Sequence, residues 1–270
     1  MPQGRAGVRS LLDEYGIRPN QAYGQNFLAD PNVIQRIVRL ANLDPGSNVV
    51  EIGGGTGALT VGLAATGAHV VVYEIDSGLV RVLRHTVGAL ENVEIRHTDA
   101  GDVDLGRDLG PGTWSFVSNL PYNVGTGIVL DALRFAPNID RFVMLVQREV
   151  AERLLADPGS RIYGIPSIVT ALHASGSIAF AVAPTVFYPA PSVSSAVVAL
   201  ARHPAPAAAE RAVEIATAAF GQRRKMLRRS LARVISDPSG TLERCGIDPT
   251  SRAEDLDPDA FLLIAEEAGR

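Results

Sequence analysis

The 270-residue chain contains a single cysteine, Cys245. That excludes an internal disulfide framework and a multi-cysteine zinc site. The spare thiol fits a reducing compartment, and a cytoplasmic location is expected. No export signal is visible, because Met1 to Ala22 has scattered charge and no apolar core. A membrane span is also missing. Ile162 to Ala201 holds no Asp, Glu, Lys or Arg, but Pro166, His173, Gly176 and several serines interrupt it, and Pro184, Pro189 and Pro191 lie within it. A spanning helix needs about 20 predominantly apolar residues. Lysine is nearly absent: of 25 cations, only Lys225 is not arginine, which reads as GC-rich coding bias. An excess of positive charge is missing too. The 29 acids leave a net charge of −4, which argues against a nonspecific nucleic-acid coat without excluding a local basic site. With 46% hydrophobic and 20% charged residues, the chain is of soluble globular type. Its length suits one large domain, or a large and a small one.

Strand and helix patterns alternate along the first half. Asp30-Pro31 starts a helix, with Asp as N-cap and Pro at the first turn. Val33, Ile34, Ile37, Val38 and Ala41 continue at helical spacing. Strands are expected at Asn48 to Ile52, Ala68 to Ile75, Val93 to His97, Trp114 to Ser118 and Arg141 to Gln147. Helices are expected at Ala58 to Thr66, Ser77 to Leu90 and Gly125 to Phe135. This alternation predicts a mainly parallel sheet covered on both faces. Helical patterns recur at Glu149 to Leu155 and Ser167 to Ala174. Ile178 to Ala183 and Ser194 to Ala201 then predict an antiparallel hairpin at the sheet edge. Arg202 to Pro206 is the best linker. Beyond it the chain reads as helical, including Ala208 to Phe220, Arg223 to Ser236 and Pro258 to Ala268. The predicted division is a domain over 1–203, with an N-terminal arm of about 29 residues, and a small helical domain over 204–270.

Glu51-Ile52-Gly53-Gly54-Gly55-Thr56-Gly57 joins the first strand to its helix. Glycines let the backbone turn sharply and approach a ligand closely, and the helix N-terminus offers free N–H groups. Glu74, at the end of the next strand, can accept from ribose hydroxyls. A nucleotide-like cofactor follows, but two parses stand: the dinucleotide fingerprint G-x-G-x-x-A and the E-x-G-x-G-x-G run of S-adenosylmethionine (SAM) methyltransferases.

Asn119-Leu120-Pro121-Tyr122 ends the fourth strand at the same sheet edge. The Asn119 side-chain oxygen and the Leu120 carbonyl can accept both N–H bonds of an adenine N6 amine. Pro121 removes a donor and stiffens the loop. Tyr122 offers a face on which a base can stack. Nothing suggests a metal: His97 lies beside Asp99 without further ligands.

These motifs, in this order, resemble the ribosomal RNA adenine N6-dimethyltransferases of the dimethyladenosine transferase type. The resemblance spans about Val8 to Phe261. It rests on Gly24-Gln25-Asn26-Phe27-Leu28, Glu51 to Thr60, Asn119 to Asn123 and Gln147 to Arg153. It continues through Phe187 to Val197 and Phe220 to Leu227. It implies a Rossmann-like α/β methyltransferase domain followed by a small helical one. By resemblance, Gln25, Asn26 and Leu28 close over SAM from the arm. Glu51, Gly53, Gly55 and Gly57 belong to the cofactor loop. Glu74, with Ile75, holds the ribose, and Asp99, with Ala100, meets the cofactor's adenine. Asn119 touches cofactor and target, and Phe187 stacks on the flipped adenine opposite Tyr122. The implied reaction is attack of adenine N6 on the SAM methyl group. The implied substrate is two adjacent adenines in the 3′-terminal hairpin of small-subunit ribosomal RNA, within a 30S precursor, with the enzyme a monomer.

Arg223, Arg224, Lys225, Arg228, Arg229 and Arg233 fall within eleven residues free of acids. Phe220, Leu227, Leu231 and Val234 are spaced as the apolar stripe of one helix, so the cations are expected on its outer face, contacting phosphates. Arg148 is a further RNA-binding candidate. Residues 234–270, by contrast, hold nine acids and three cations. Some positions depart from the family. Gly54 stands where proline is usual, Ala22 where a basic residue precedes the arm motif, and Tyr163 to Ser167 where an Arg-Leu-Ser sequence is usual. Met226 and Arg229 replace Thr and Asn. Rival readings are a macrolide-resistance type large-subunit methyltransferase, an assembly or transcription factor without activity, and a nicotinamide oxidoreductase.

Overall fold

A computed structural model describes residues 4–20, 24–122 and 124–269. Ala22 and Asn123, named above, lie outside the described residues. The chain forms two compact units, 1–151 with 176–202, and 152–175 with 203–270. The chain therefore passes into the second unit twice, at 151/152 and again at 202/203, so that 152–175, expected within the first domain, belong to the second unit.

The first unit opens with Arg5–Glu14 (α1), Phe27–Leu28 (β1) and Pro31–Ala41 (α2). Asn48–Ile52 (β2), Ala58–Ala64 (α3), His69–Glu74 (β3), Ser77–Val87 (α4) and Val93–His97 (β4) follow. Leu105–Asp108 (α5), Trp114–Asn119 (β5), Gly125–Phe135 (α6), Ile139–Gln147 (β6) and Arg148–Leu154 (α7) complete the alternating part. After Ile165–His173 (α8), the chain returns as Ala174–Val182 (β7), Phe187–Tyr188 (β8) and Ser195–Arg202 (β9). The seven-stranded sheet has the order β4-β3-β2-β5-β6-β9-β7. Strands β2 to β6 are parallel, and β9 runs antiparallel to β6. The expected parallel sheet with an antiparallel edge hairpin is what forms.

Local chemistry accounts for the boundaries. Asp30 caps α2, its carboxylate accepting from the N–H groups of Asn32 and Val33. Asn42 ends that helix in the left-handed conformation, which Asn tolerates better than most residues. The inner parallel strands β2, β3, β5 and β6 are buried on both faces, with Val49, Val70, Val71, Phe116, Val117, Phe142 and Val143 at or near zero exposure. Their continuous apolar sequence follows from that. Arg202, read as linker, belongs to the sheet unit. Its guanidinium donates to the carbonyls of Ala132, Leu133, Ala136 and Ile139, binding the exposed carbonyls at the end of α6. Burial pushes its pKa down from the usual arginine value.

Several elements escape the sequence patterns, among them Arg5–Glu14, Leu105–Asp108 and the short strands β1 and β8. The arm strand β1 pairs antiparallel with β8, Phe27 opposite Tyr188 and Leu28 opposite Phe187. Helix α1 contributes Val8 and Leu12 to a cluster with Phe27, Ala29 and Leu79, so this part of the arm is folded onto the unit.

The second unit holds Ala209–Phe220 (α9), Leu227–Ser230 (α10), Pro238–Arg244 (α11) and Pro258–Ala268 (α12). Its core includes Tyr163, Phe220 and Phe261, with ring centroids 5.9 Å and 6.3 Å apart in successive pairs. The helix expected over Arg223 to Ser236 is not formed; only Leu227–Ser230 is helical. The Leu227 N–H donates to the Ser251 carbonyl and the Arg228 N–H to the Pro249 carbonyl. Those tertiary bonds replace the i−4 ladder, although Leu227 and Leu231 are fully buried as the apolar spacing required.

Candidate active site

The glycine loop leaves β2 with Gly53, Gly55 and Gly57 at φ of +76°, +57° and +81°, which is where side-chain-bearing residues are disfavoured. A Cβ on Gly53 would lie 3.4 Å from the Pro121 ring, and one on Gly55 would lie 3.1 Å from the Phe27 ring. The loop is therefore packed between the Asn119–Tyr122 segment and the arm. These parts line one open cleft, the concave kind of surface on which small ligands bind.

Most of the residues expected at the site meet here. Gln25, Asn26, Leu28, Glu51, Gly53, Gly55, Glu74, Ile75, Asp99, Ala100, Asn119, Leu120, Pro121 and Tyr122 all line the cleft. Gly57 is not among its lining residues; it caps α3 and faces α4, where a Cβ would meet Thr86 Cγ2 at 3.1 Å. Phe187 is not there either. The β1–β8 pairing sets it opposite Leu28, and its ring is fully buried in the apolar core. It offers no face to the cleft, so the aromatic face on the Asn119–Tyr122 side is Tyr122.

Glu74 is buried and already engaged. One carboxylate oxygen accepts from the Gly55 N–H and the other from the Asp76 N–H, both at 2.9 Å. Burial raises its pKa, and the Asp76 and Gly55 hydrogen bonds oppose the shift. Asp76 adds a second link. It caps α4 through the Gly78 and Leu79 N–H groups and accepts from the Gln25 side chain at 3.1 Å. The arm is thereby joined to the loop that follows β3. On the other side, Asn119 Nδ2 donates to the Asn26 carbonyl at 3.2 Å. Ser118, fully buried, donates to the Ile52 carbonyl at 2.6 Å and ties the ends of β2 and β5 together. Ile75, at 49% exposed, is an apolar surface at the cleft, and Asp99 caps the following turn through the Gly101 N–H.

Glu51 is the most perturbed acid of the cleft. It is buried, its Oε2 has no hydrogen-bond partner among the described residues, and burial pushes its pKa up to about 8. Thr60 opposes the shift and the Glu74 charge adds to it. A carboxyl whose pKa is raised on folding is protonated in the folded state where the unfolded chain has lost the proton. Stability then falls as pH rises, by about 1.4 kcal/mol per pH unit between the unfolded value and the folded one. Glu51→Gln should flatten this slope between roughly pH 5 and 8, as read from denaturant melts across that window; an unaltered slope would contradict the assignment. Gly54 gives a second test. A Cβ there would lie 2.5 Å from Val72 Cγ2 and 2.9 Å from Leu83 Cδ1. Gly54→Ala should cost about 1–3 kcal/mol through overpacking, as a lower unfolding midpoint; an unchanged midpoint would contradict it.

The cations of the second unit divide. Arg224, Lys225, Arg228, Arg229 and Arg233 are exposed. Arg223 instead pairs with Glu254 at 2.8 Å and donates to the Arg161 carbonyl at 3.0 Å. Arg148, in the first unit, is exposed at the end of β6. Nearby departures from the family also have structural accounts: Tyr163 is buried against Phe220, and Ser167 Oγ donates to the Arg153 carbonyl. Cys245 is partly buried at the end of α11. Among the described residues, no group of three or more His, Cys, Asp or Glu could hold a metal ion, and no helix is long and apolar enough to cross a membrane.

A parallel sheet with β9 inserted antiparallel, and a glycine loop facing an Asn-Leu-Pro-Tyr segment across one cleft, define the fold of SAM-dependent methyltransferases. The solved structure of the 23S rRNA methyltransferase ErmE superposes with a TM-score of 0.68 at 28% identity, over 91% of this chain and all of that one. A dimethyladenosine transferase from Plasmodium falciparum superposes with a TM-score of 0.73 over 88% of this chain and 95% of that one; at 22% identity it speaks to fold alone. The sequence profile of the ribosomal RNA adenine dimethylase family matches residues 16–269, and the chain belongs to that family. Ribosomal RNA small subunit methyltransferase A of Kineococcus radiotolerans is 42% identical over 268 residues, covering 96% of this chain and 89% of the relative. Its counterpart from Cutibacterium acnes is 41% identical over 277 residues, covering 97% and 92%. Family membership decides between the two parses of the glycine loop in favour of the methyltransferase one.

Proposed function

We propose that this protein dimethylates N6 of two adjacent adenines in the 3′-terminal hairpin of small-subunit ribosomal RNA, with SAM as methyl donor. The observation that carries the reading is the meeting of the glycine loop and Asn119–Tyr122 in one cleft, Pro121 against Gly53. SAM, when bound, supplies an electrophilic methyl group on a sulfonium centre. The residues present fit that group. Glu51 carries an unpartnered buried carboxyl oxygen, suited to a cationic ligand whose charge would repay its ionisation. Glu74 keeps acceptor capacity beyond its two backbone donors, since a carboxylate offers about four lone-pair sites. Ile75 supplies an apolar surface and Asp99 an acceptor for an adenine. Gln25 and Asn26 hold the arm over them. Asn119 and the Leu120 carbonyl hold the target amine, and Tyr122 the face of the base. The protein's contribution is position and exclusion of water rather than a strong base.

The RNA contact proposed for the second unit uses Arg224, Lys225, Arg228 and Arg229; Arg148 is proposed as an RNA contact of the first unit by itself. Arg223 is reassigned to holding the second unit together. The helical unit is thus proposed as the RNA-binding domain, and the protein as a soluble monomer acting on the 30S precursor. The large-subunit alternative has support in the ErmE likeness, at 28% identity against 41–42% for the small-subunit relatives. Labelled SAM offered with undermethylated small subunits, large subunits and naked RNA tests the choice. Transfer to small subunits is expected. Label confined to large-subunit RNA would overturn the substrate, and no transfer despite SAM binding would favour a factor without activity.

A further inference from the structure

The Tyr122 hydroxyl lies 2.8 Å from Ser195 Oγ. Ser195 opens β9, opposite Gln147 of β6, and is fully buried. Tyr122 lines the cleft and is half-buried. Burial raises its pKa, with the Ser195 hydrogen bond opposing, so the phenol is neutral near pH 7 and can donate or accept. Its ring is therefore held at both ends. The backbone end sits against the arm, where a Cβ on Gly24 would come within 2.9 Å of the Tyr122 nitrogen. The hydroxyl end is fixed to a strand in the interior of the sheet, between β6 and β7.

We propose that Ser195 is a positioning residue for methyl transfer: its hydroxyl fixes the Tyr122 ring and thereby the plane of the target base. The proposal rests on the reading of Tyr122 as the stacking face. A tyrosine turns about two side-chain bonds, and a ring free at its hydroxyl end samples several pitches. A base stacked on such a ring carries its exocyclic amine through a range of directions. Transfer needs that amine aligned with the methyl group, and a misplacement of about 1 Å can cost about a hundredfold in rate. Ser195 touches neither base nor cofactor; it acts through Tyr122. Because its partner is a tyrosine hydroxyl rather than the ring, the loss on removal should fall on kcat more than on the affinity for RNA or SAM.

The test is a double-mutant cycle on the full-length protein with undermethylated small subunits. Ser195→Ala and Tyr122→Phe should each lower kcat by about ten- to a hundredfold, with KM for RNA and SAM affinity little changed. The double variant should be no slower than either single one, because both remove the same bond. Ser195→Thr, which keeps the hydroxyl, should recover most of the rate. Additive losses, an unchanged kcat in Ser195→Ala, or failure of the Thr variant despite a normal unfolding midpoint would overturn the proposal. If Ser195→Ala does not fold, Tyr122→Phe decides alone, since a ring without its hydroxyl should show the same fall in kcat. A wild-type protein that methylates no ribosomal RNA would refute the proposed function instead. An active wild type with an indifferent Ser195 refutes only this inference.

Discussion

Asn119→Ala should abolish methyl transfer while sparing most SAM binding. Asn119 stands at the end of β5, and its amide nitrogen is already committed to the Asn26 carbonyl at 3.2 Å. Its amide oxygen is the acceptor assigned to the target amine. Removing it leaves the cofactor's carboxylate and glycine partners intact but releases the nucleophile from its line of attack. The loss should be at least about a hundredfold in kcat, the scale of a misdirected reacting group. Asn26→Ala separates the two roles. It breaks no bond to the target amine, because Asn119 binds the backbone carbonyl of residue 26, and it should affect SAM affinity more than turnover. Equilibrium binding of SAM alongside single-turnover transfer reads both. Near-wild-type turnover in Asn119→Ala would contradict the mechanism.

The second large effect concerns salt. Replacing Arg224, Lys225, Arg228 and Arg229 together with Ala should weaken RNA binding and flatten its dependence on salt. On single-stranded nucleic acid, every phosphate the protein ceases to neutralise reduces the logarithmic slope by about 0.7. The slope should therefore fall by roughly 3 if all four cations engage phosphate. Arg223→Ala is the counter-test. Its guanidinium is committed to Glu254 and the Arg161 carbonyl, so it should lower the unfolding midpoint and leave the slope nearly unchanged. Titrations of RNA at several salt concentrations measure this. An unchanged slope in the fourfold variant would return those cations to an ordinary solvated surface.

The contrast between Arg223 and its neighbours shows where sequence reasoning reaches its limit. The strand at Asn48–Ile52 and the helix at Gly125–Phe135 are legible because burial on a sheet writes itself into local apolar pattern. The basic run is equally legible as a run. The apolar spacing of Phe220, Leu227, Leu231 and Val234 also fits a helix, and two of those residues are indeed fully buried. What keeps the helix from starting at Arg223 is a pair of backbone bonds from Leu227 and Arg228 to Ser251 and Pro249, about twenty residues away, and no local pattern contains them. Phe187 fails for the same kind of reason. The two-residue pairing with Leu28 is too short to leave a periodicity, yet it turns the ring into the core. Arg202 has the sequence of a proline-rich linker's first residue; only the fold brings four carbonyls around it.

The cleft is the most readable part, because its chemistry comes from motifs at strand ends that a parallel sheet collects along one edge. Ser118 and Ser195 are not readable. Serine is common and carries no signature, and each matters through one hydrogen bond to a distant segment. The shortage of positive charge likewise acquires a narrower meaning. The net charge of −4 excludes a general coat, while the exposed cations of residues 224–233 concentrate the proposed affinity on one segment.

The measurement that bears most directly on the proposed activity is the identity and position of the methylated nucleosides. Undermethylated small subunits incubated with the protein and SAM, then digested and analysed by mass spectrometry with sequence mapping, should yield N6,N6-dimethyladenosine at two adjacent adenines of the 3′-terminal hairpin. Methyl groups found only in large-subunit RNA, or on atoms other than adenine N6, would contradict it.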